Sequence, residues 1–356
     1  MKQFAYGILT GIFCTIGGVV TLFLAVAVMA PERMPPPAIG RVVHLDEKLR
    51  FIRSNPEIDP TVVAVGSSIT WRNLSGREIE RIVGPKRFLN GAAVYMQTHQ
   101  TRKLARFLVR RYANVRTLLV LTNLPDFGNC TDDRDPMFNA EDAGRYAFRR
   151  WPETYFHLRY FAPRRYFDWI MTVDTRRIPF TGDVYIDEYG SGPVIVPPDA
   201  DLGLRYKERE VDPFCVTKLA ELSGNMTEWG LRTIIVFPPI HPDYRARYPE
   251  STAQVPEIAA RLEAETEGDN TQILLMHDDP RFQPEDFYDA FHLQWPSAQR
   301  LSGIIADAAL AKADPARDAT EPPPDRPRGE RDPPDMSLGA PPGTVRAADG
   351  KHPPAN

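Results

Sequence analysis

Cysteine is scarce in this chain, three residues in 356, and neither the cysteines nor the seven histidines fall at the spacings that hold zinc. No glycine-rich loop of the kind that cradles phosphates is present, so nucleotide-dependent chemistry has no support in the sequence. A dominant charge is missing as well: 43 basic residues face 47 acidic ones, a formal net charge of −4, which gives no global attraction for nucleic acid. The expectation is chemistry that needs neither a metal nor an organic cofactor, and no nucleic-acid partner.

Charge is also missing locally. Phe4 to Ala30 is an uncharged run of 27 residues, longer than the core of a secretory signal and long enough to span a bilayer, so residues 1–30 read as an uncleaved transmembrane anchor. Small residues at Val26–Ala30 offer a competing cleavage site, which Pro31 disfavours. Lys2 and the free amine favour a cytoplasmic amino terminus, leaving the rest extracytoplasmic, in a periplasm or outside the cell. Gly7 and Gly11 have the spacing that lets two anchors pack. Residues 31–57 read as a linker and lead-in, with Pro31–Pro37 a stiff extended spacer lifting the domain off the membrane. Large apolar side chains almost vanish from Asp314 onward, where eleven prolines accumulate, so residues 313–356 read as a disordered tail. With Cys14 in the anchor, Cys130 and Cys215 remain as either a disulfide or two separate buried thiols. Asn73, Asn129 and Asn225 begin Asn-x-Ser/Thr matches at chance frequency.

What is present is a body, residues 58–312, long enough for one domain with a sizeable core. Thr61–Val65, Thr117–Thr122, Thr233–Phe237 and Gln272–Met276 have strand length and composition, with a shorter run at Arg87–Leu89. Helical spacing lies between them, at Leu104/Phe107/Leu108, Val216/Leu219/Leu222/Met226, Ile258/Leu262 and Leu301/Ile304/Ile305/Ala308. This alternation predicts an α/β fold of three layers, a parallel sheet with helices on both faces.

In such sheets functional groups collect at the carboxyl ends of the strands. The first strand stops at Gly66-Ser67-Ser68, which exposes Ser68 at a turn. A serine hydroxyl needs a neighbouring imidazole to take its proton during attack, and His292 is the candidate base. Asp289, three residues earlier, can fix its tautomer and stabilise the imidazolium. The same spacing recurs at Asp349 and His352 in the tail, so the pair persuades by its setting among Phe287, Tyr288 and Phe291. Acyl transfer also needs oxyanion donors, and the N–H of Ser68, the N–H of Gly91 and the Asn123 amide are the candidates; Gly91 and Asn123 also read as ordinary loop and turn residues. Ser67 is the alternative nucleophile.

Together these blocks, Gly66-Ser67-Ser68-Ile69-Thr70, Asn90-Gly91, Thr122-Asn123 and Asp289-Ala-Phe-His292-Leu293, resemble the SGNH (GDSL-type) hydrolase superfamily over about Thr61 to Leu310. Ser67 stands where that family has aspartate, Leu121 where it has glycine, Leu124 where it has an acidic residue, and Asn90 directly abuts Gly91. The anchor, the Gly-Ser-Ser block and a long insertion also look like the envelope-anchored subgroup that works with membrane O-acyltransferases. The resemblance implies a serine acyl-ester hydrolase or O-acyltransferase acting on envelope polysaccharide or a lipid-linked glycan, with an acylated glycan or acyl ester as substrate. The alternative is a non-catalytic scaffold or glycan-binding component of an envelope acylation complex.

The alternation lapses at about 127–212, an insertion expected to roof or flank the site. Eight arginines and ten aromatic residues crowd into Arg145–Arg177. Three readings stay open: an anionic-glycan surface using Trp151, Arg164 and Arg165, a small aromatic core covered by arginine stems, or a surface against lipid headgroups. His241, after another strand, is a further candidate for the cleft, against the reading of a stiff structural loop.

Overall fold

The computed structural model describes residues 2–29, 31–131, 137–197, 208 and 210–311. Five strands, β1 (Val62–Val65), β2 (Phe88–Asn90), β3 (Thr117–Leu121), β4 (Arg232–Phe237) and β5 (Thr271–Leu275), form one parallel sheet in the order β2-β1-β3-β4-β5. Val62 is opposite both Phe88 and Thr117, and Leu119 opposite Ile234, so the β-branched runs lie side by side in the sheet centre. Every residue of β1 and β3 is buried, which requires cover on both faces. The α/β fold expected from the alternation is present.

The helices are α1 (Lys2–Met29), α2 (Val43–Ser54), α3 (Ser68–Asn73), α4 (Gly76–Val83), α5 (Thr98–Arg111), α6 (Ala140–Ala147), α7 (Glu153–Arg159), α8 (Pro163–Arg176), α9 (Pro213–Glu228), α10 (Pro242–Arg247), α11 (Pro249–Glu265) and α12 (Trp295–Ile305). On α5, Leu104 and Leu108 recur at helical spacing and enter the core; α5 packs on β1 and α9, and α9 on β4 and α11. A second group brings α12 against α3 and α4, with α4 on β2. The chain leaves β1 in one direction for β2 and returns for β3 on its other side, so the carboxyl ends of β1 and β3 flank the topological switch point where open α/β sheets bind ligands.

Two expectations for the amino-terminal part need correction. Residues 31–57 are not a linker, because α2 sends Leu45, Leu49 and Ile52 into the main core. Nor is Pro31–Pro37 an extended spacer: Pro31–Arg33 is one 3-10 turn and Met34–Pro37 are buried, so the chain joins the packed body five residues after α1. Among the described residues no helix is long and apolar enough to cross a membrane; the side chains of Lys2, Ala5, Ile16, Leu22, Leu24, Ala27 and Val28 on α1 lie outside that description. The tail from 312 onward also lies outside the described residues.

The insertion contributes α6, α7 and α8. Its second half runs along the carboxyl edge: Asn90 N–H donates to Tyr189 C=O, Gly192 N–H to Trp71 C=O and Trp295 N–H to Val194 C=O. Cys130 and Cys215 are joined by a disulfide, with Cα atoms 5.3 Å apart, so the two-thiol reading falls away.

Candidate active site

Ser68 is the first residue of α3, placed there by a turn that only Gly66 permits. Gly66 has φ +148°, and a Cβ on it would lie 2.1 Å from Thr70 Oγ1. Thr70 Oγ1 occupies that space because it ties the ends of β1 and β3 together, donating toward Leu121 C=O at 2.7 Å and accepting Leu121 N–H at 3.1 Å. The N–H of Ser68, at the first position of the helix, has no acceptor within the helix.

His292 meets Ser68 from the other end of the chain: Nε2 is 2.9 Å from Ser68 Oγ. Nδ1 is 2.9 and 2.8 Å from the two Asp289 oxygens, which assigns the Nδ1 proton to that side and leaves Nε2 to accept from the serine. Asp289 Oδ1 also accepts the N–H groups of Phe291 and His292 at 2.9 Å each. Burial works to raise the Asp289 carboxyl, but His292 and these hydrogen bonds outweigh it and hold it below the ordinary carboxylate value. His292 is buried and stacks on Tyr288 at 5.2 Å between ring centres. Ser68 at the start of α3 and Asp289 and His292 in the loop before α12 thus form an unbroken serine, imidazole and carboxylate relay.

Ser67 does not share this geometry. Its Oγ is buried, accepts Ile69 N–H at 3.1 Å and bonds to the Asp126 carboxyl. Thr122 Oγ1 donates to Asp126 at 3.0 Å, and burial pushes Asp126 up to about 7 against both bonds.

Of the three expected oxyanion donors, one is fully engaged and one is engaged by half. Gly91 N–H donates to Ala64 C=O at 2.8 Å, extending the sheet. Its lack of a side chain serves packing, since a Cβ there would lie 2.3 Å from Leu108 Cδ1. Asn123 is fully buried; one amide N–H goes to Pro238 C=O at 3.1 Å and Oδ1 takes Leu124 N–H at 2.9 Å, so it caps a 3-10 turn at Leu124–Phe127. Ser68 N–H, by contrast, has no acceptor within its helix, and the second N–H of the Asn123 amide is not used by the Pro238 bond.

The expected substrate residues divide. Arg165 pairs with the buried Asp46 carboxylate, which in turn accepts Gly40 N–H, so it holds α8 to the amino-terminal segment instead of facing a substrate. Trp151 packs on Tyr155 at 4.5 Å and under the Arg145 guanidinium at 4.8 Å. Arg164 is exposed, with only Asp168 nearby at 3.8 Å. None of these contacts reaches the triad. His241 does lie beside it: its N–H donates to Ala290 C=O at 3.0 Å, its ring is 5.2 Å from Phe287, and Nδ1 accepts Asp243 N–H. Burial lowers its pKa against the pull of Asp243 and Asp289, so it braces the triad loop as a neutral ring.

Sequence reasoning missed Asn73. It lies on α3 with Ser68, donates to Phe291 C=O at 2.8 Å and accepts Leu293 N–H at 2.8 Å, gripping the chain on both sides of His292. It also missed Tyr95, a non-glycine residue at φ +61° in the loop after β2, whose exposed ring is 6.4 Å from His44, itself 5.6 Å from Trp71 on α3. A positive φ is invisible in the sequence when the residue is not glycine. No protein-family model matches this chain, and no curated protein matches it.

Proposed function

We propose that this protein is an SGNH-type serine esterase or O-acyltransferase, anchored by α1 and working outside the cytoplasm on acylated envelope glycans. The Ser68–His292–Asp289 relay carries the catalytic part of this reading. Ser68 Oγ attacks the acyl carbonyl as His292 Nε2 takes its proton; the ester C–O bond breaks, and the imidazolium returns the proton to the departing alcohol. The acyl-enzyme on Ser68 then passes its acyl group to water or to a sugar hydroxyl, activated in the same way. Ser68 N–H faces the oxyanion. The uncharged run Phe4–Ala30 supports the anchor, and the Cys130–Cys215 disulfide supports an oxidising compartment. The block resemblance supports the family, and a membrane O-acyltransferase is the partner it implies.

The engagement of Gly91 N–H favours a second reading, a glycan-binding or scaffold component of an acylation complex that has lost its chemistry. One experiment separates them. Full-length protein is given an activated acetyl ester and a serine-directed phosphonate. The enzyme reading expects turnover and labelling, both lost in Ser68→Ala and His292→Ala with the fold intact. A parent protein that neither turns over nor labels establishes the scaffold.

A further inference from the structure

Helix α8 has two apolar faces, and the fold uses only one. Tyr166, Trp169 and Val173 point inward, the last two packing with Val184 and against Val43. Phe167 and Met171, four residues apart on the other side, are 68% and 71% exposed. The preceding helix adds Leu158 at 74%, and the turn between them adds Phe161 at 47%. Four large apolar side chains this exposed on two successive helices and the turn between them mark an interaction site.

The position of α1 says what the partner is. Phe23 on α1 meets Phe161, Tyr166 and His157 with ring centres 6.2, 5.2 and 5.9 Å apart. Phe4 to Phe23 is twenty residues, about 30 Å of helix at ~1.5 Å per residue, equal to the hydrocarbon thickness of a typical bilayer. A bilayer that takes in α1 from Phe4 therefore reaches its far boundary at Phe23, level with the α7–α8 turn. The joint between anchor and domain is fixed: Arg33 pairs with Asp174 on α8 at 2.8 Å, Arg177 donates to Glu32 C=O at 2.6 Å, and Met34–Pro37 are buried. Arg164 and Asp168 share the outer face with Phe167 and Met171, a mixture suited to the headgroup layer.

We propose that the α7–α8 hairpin is a membrane-docking element, with Leu158, Phe161, Phe167 and Met171 seated at the boundary between acyl chains and headgroups of the bilayer that holds α1. This rests on the reading of α1 as an anchor. It resolves the arginine-rich insertion into an inner aromatic core and an outer lipid-facing stripe, and it fixes the height of the Ser68 cleft above the membrane.

The test uses full-length protein carrying Cys14→Ser, reconstituted in vesicles of phosphatidylcholine and phosphatidylglycerol. Nitroxide labels are placed one at a time at Phe167→Cys, Met171→Cys and the exposed α11 control Glu263→Cys, and collisions with oxygen and with a water-soluble nickel chelate are compared. The expected result is that oxygen dominates at 167 and 171, and nickel at 263. Nickel dominance at 167 and 171 in protein that stays with the vesicles through alkaline extraction overturns the docking alone. Release of the protein by that extraction overturns the anchor and the docking with it. Labels open to nickel in vesicles but shielded by added glycan assign the stripe to a glycan and also overturn it.

Discussion

Asn73 holds His292 by the backbone on either side of it, accepting from Leu293 N–H and donating to Phe291 C=O, each at 2.8 Å. Because Asn73 is on the same short helix as Ser68, this clamp sets the approach of base to nucleophile across 224 positions of sequence. Asn73→Ala removes the acceptor of the buried Leu293 N–H, a cost of about 1–3 kcal/mol, together with the bond to the Phe291 carbonyl. It also frees the imidazole to drift, and misplacement by about 1 Å costs on the order of 100-fold in rate. The expected outcome is a fall in kcat of roughly 10–100-fold with KM little changed, and Asn73→Asp, which keeps the acceptor only, should lie between. Steady-state kinetics on an activated ester checks this; an unchanged kcat in a folded Asn73→Ala protein removes the positioning role.

The triad was legible in the sequence because each member ends or follows a strand, and a parallel sheet gathers such positions on one edge. Asn73 was not, since its partners are more than 200 residues away and nothing local marks it. The engagement of Gly91 was hidden for a related reason: its residue type suits an oxyanion hole, but its single N–H is taken by the neighbouring Ala64 carbonyl, whereas Asn123 gives one of its two amide N–H groups to Pro238. Pro31–Pro37 has a spacer's composition, and the burial of Met34–Pro37 and the Arg33–Asp174 ion pair to α8 overrule it.

Asp126 should leave a signature in the pH dependence of stability. Burial lifts its carboxyl from 3.8 to about 7, opposed by hydrogen bonds from Ser67 and Thr122. Between those values the folded state keeps a proton that the unfolded chain has released, so stability falls as pH rises through the window and the loss is complete above about pH 7. The displacement corresponds to about 4 kcal/mol across the whole window. Asp126→Asn cannot ionise, so the parent's melting temperature relative to the variant's should be highest near pH 4 and decline toward pH 7. Asp46 and Asp187, also raised to about 7 by burial, are present in both proteins and cancel in the difference. Parallel melting curves for the two proteins across this range would show that Asp126 is ionised throughout. Ser67→Ala, which removes one of its partners, should still label with the phosphonate, as Ser68→Ala should not.

Tyr95 combines a left-handed backbone with a side chain 79% exposed, two residues beyond Ala93, whose N–H is bound to Gly66 C=O beside the nucleophile. A left-handed conformation costs an L-residue roughly 1–2 kcal/mol, a cost that glycine escapes. Tyr95→Gly should therefore raise stability by about 1 kcal/mol in denaturant titration. A less stable Tyr95→Gly protein would show that the ring's contact with His44 outweighs the strain.

The Cys130–Cys215 bond closes 85 residues, nearly all of the insertion, yet encloses neither Ser68 nor His292. Restricting so long a loop in the unfolded chain is worth about 2–4 kcal/mol. Reduction, or the Cys130→Ser/Cys215→Ser variant, should lower the melting temperature by that equivalent while Ser68 still labels with the phosphonate at room temperature. Gel mobility with and without reductant establishes the bond, and labelling rates report the cleft. Retained labelling assigns the disulfide to stability, whereas its loss at a temperature where the sheet remains folded would mean that the Tyr189–Val196 segment along the carboxyl edge is held in place by the bond and borders the Ser68 site.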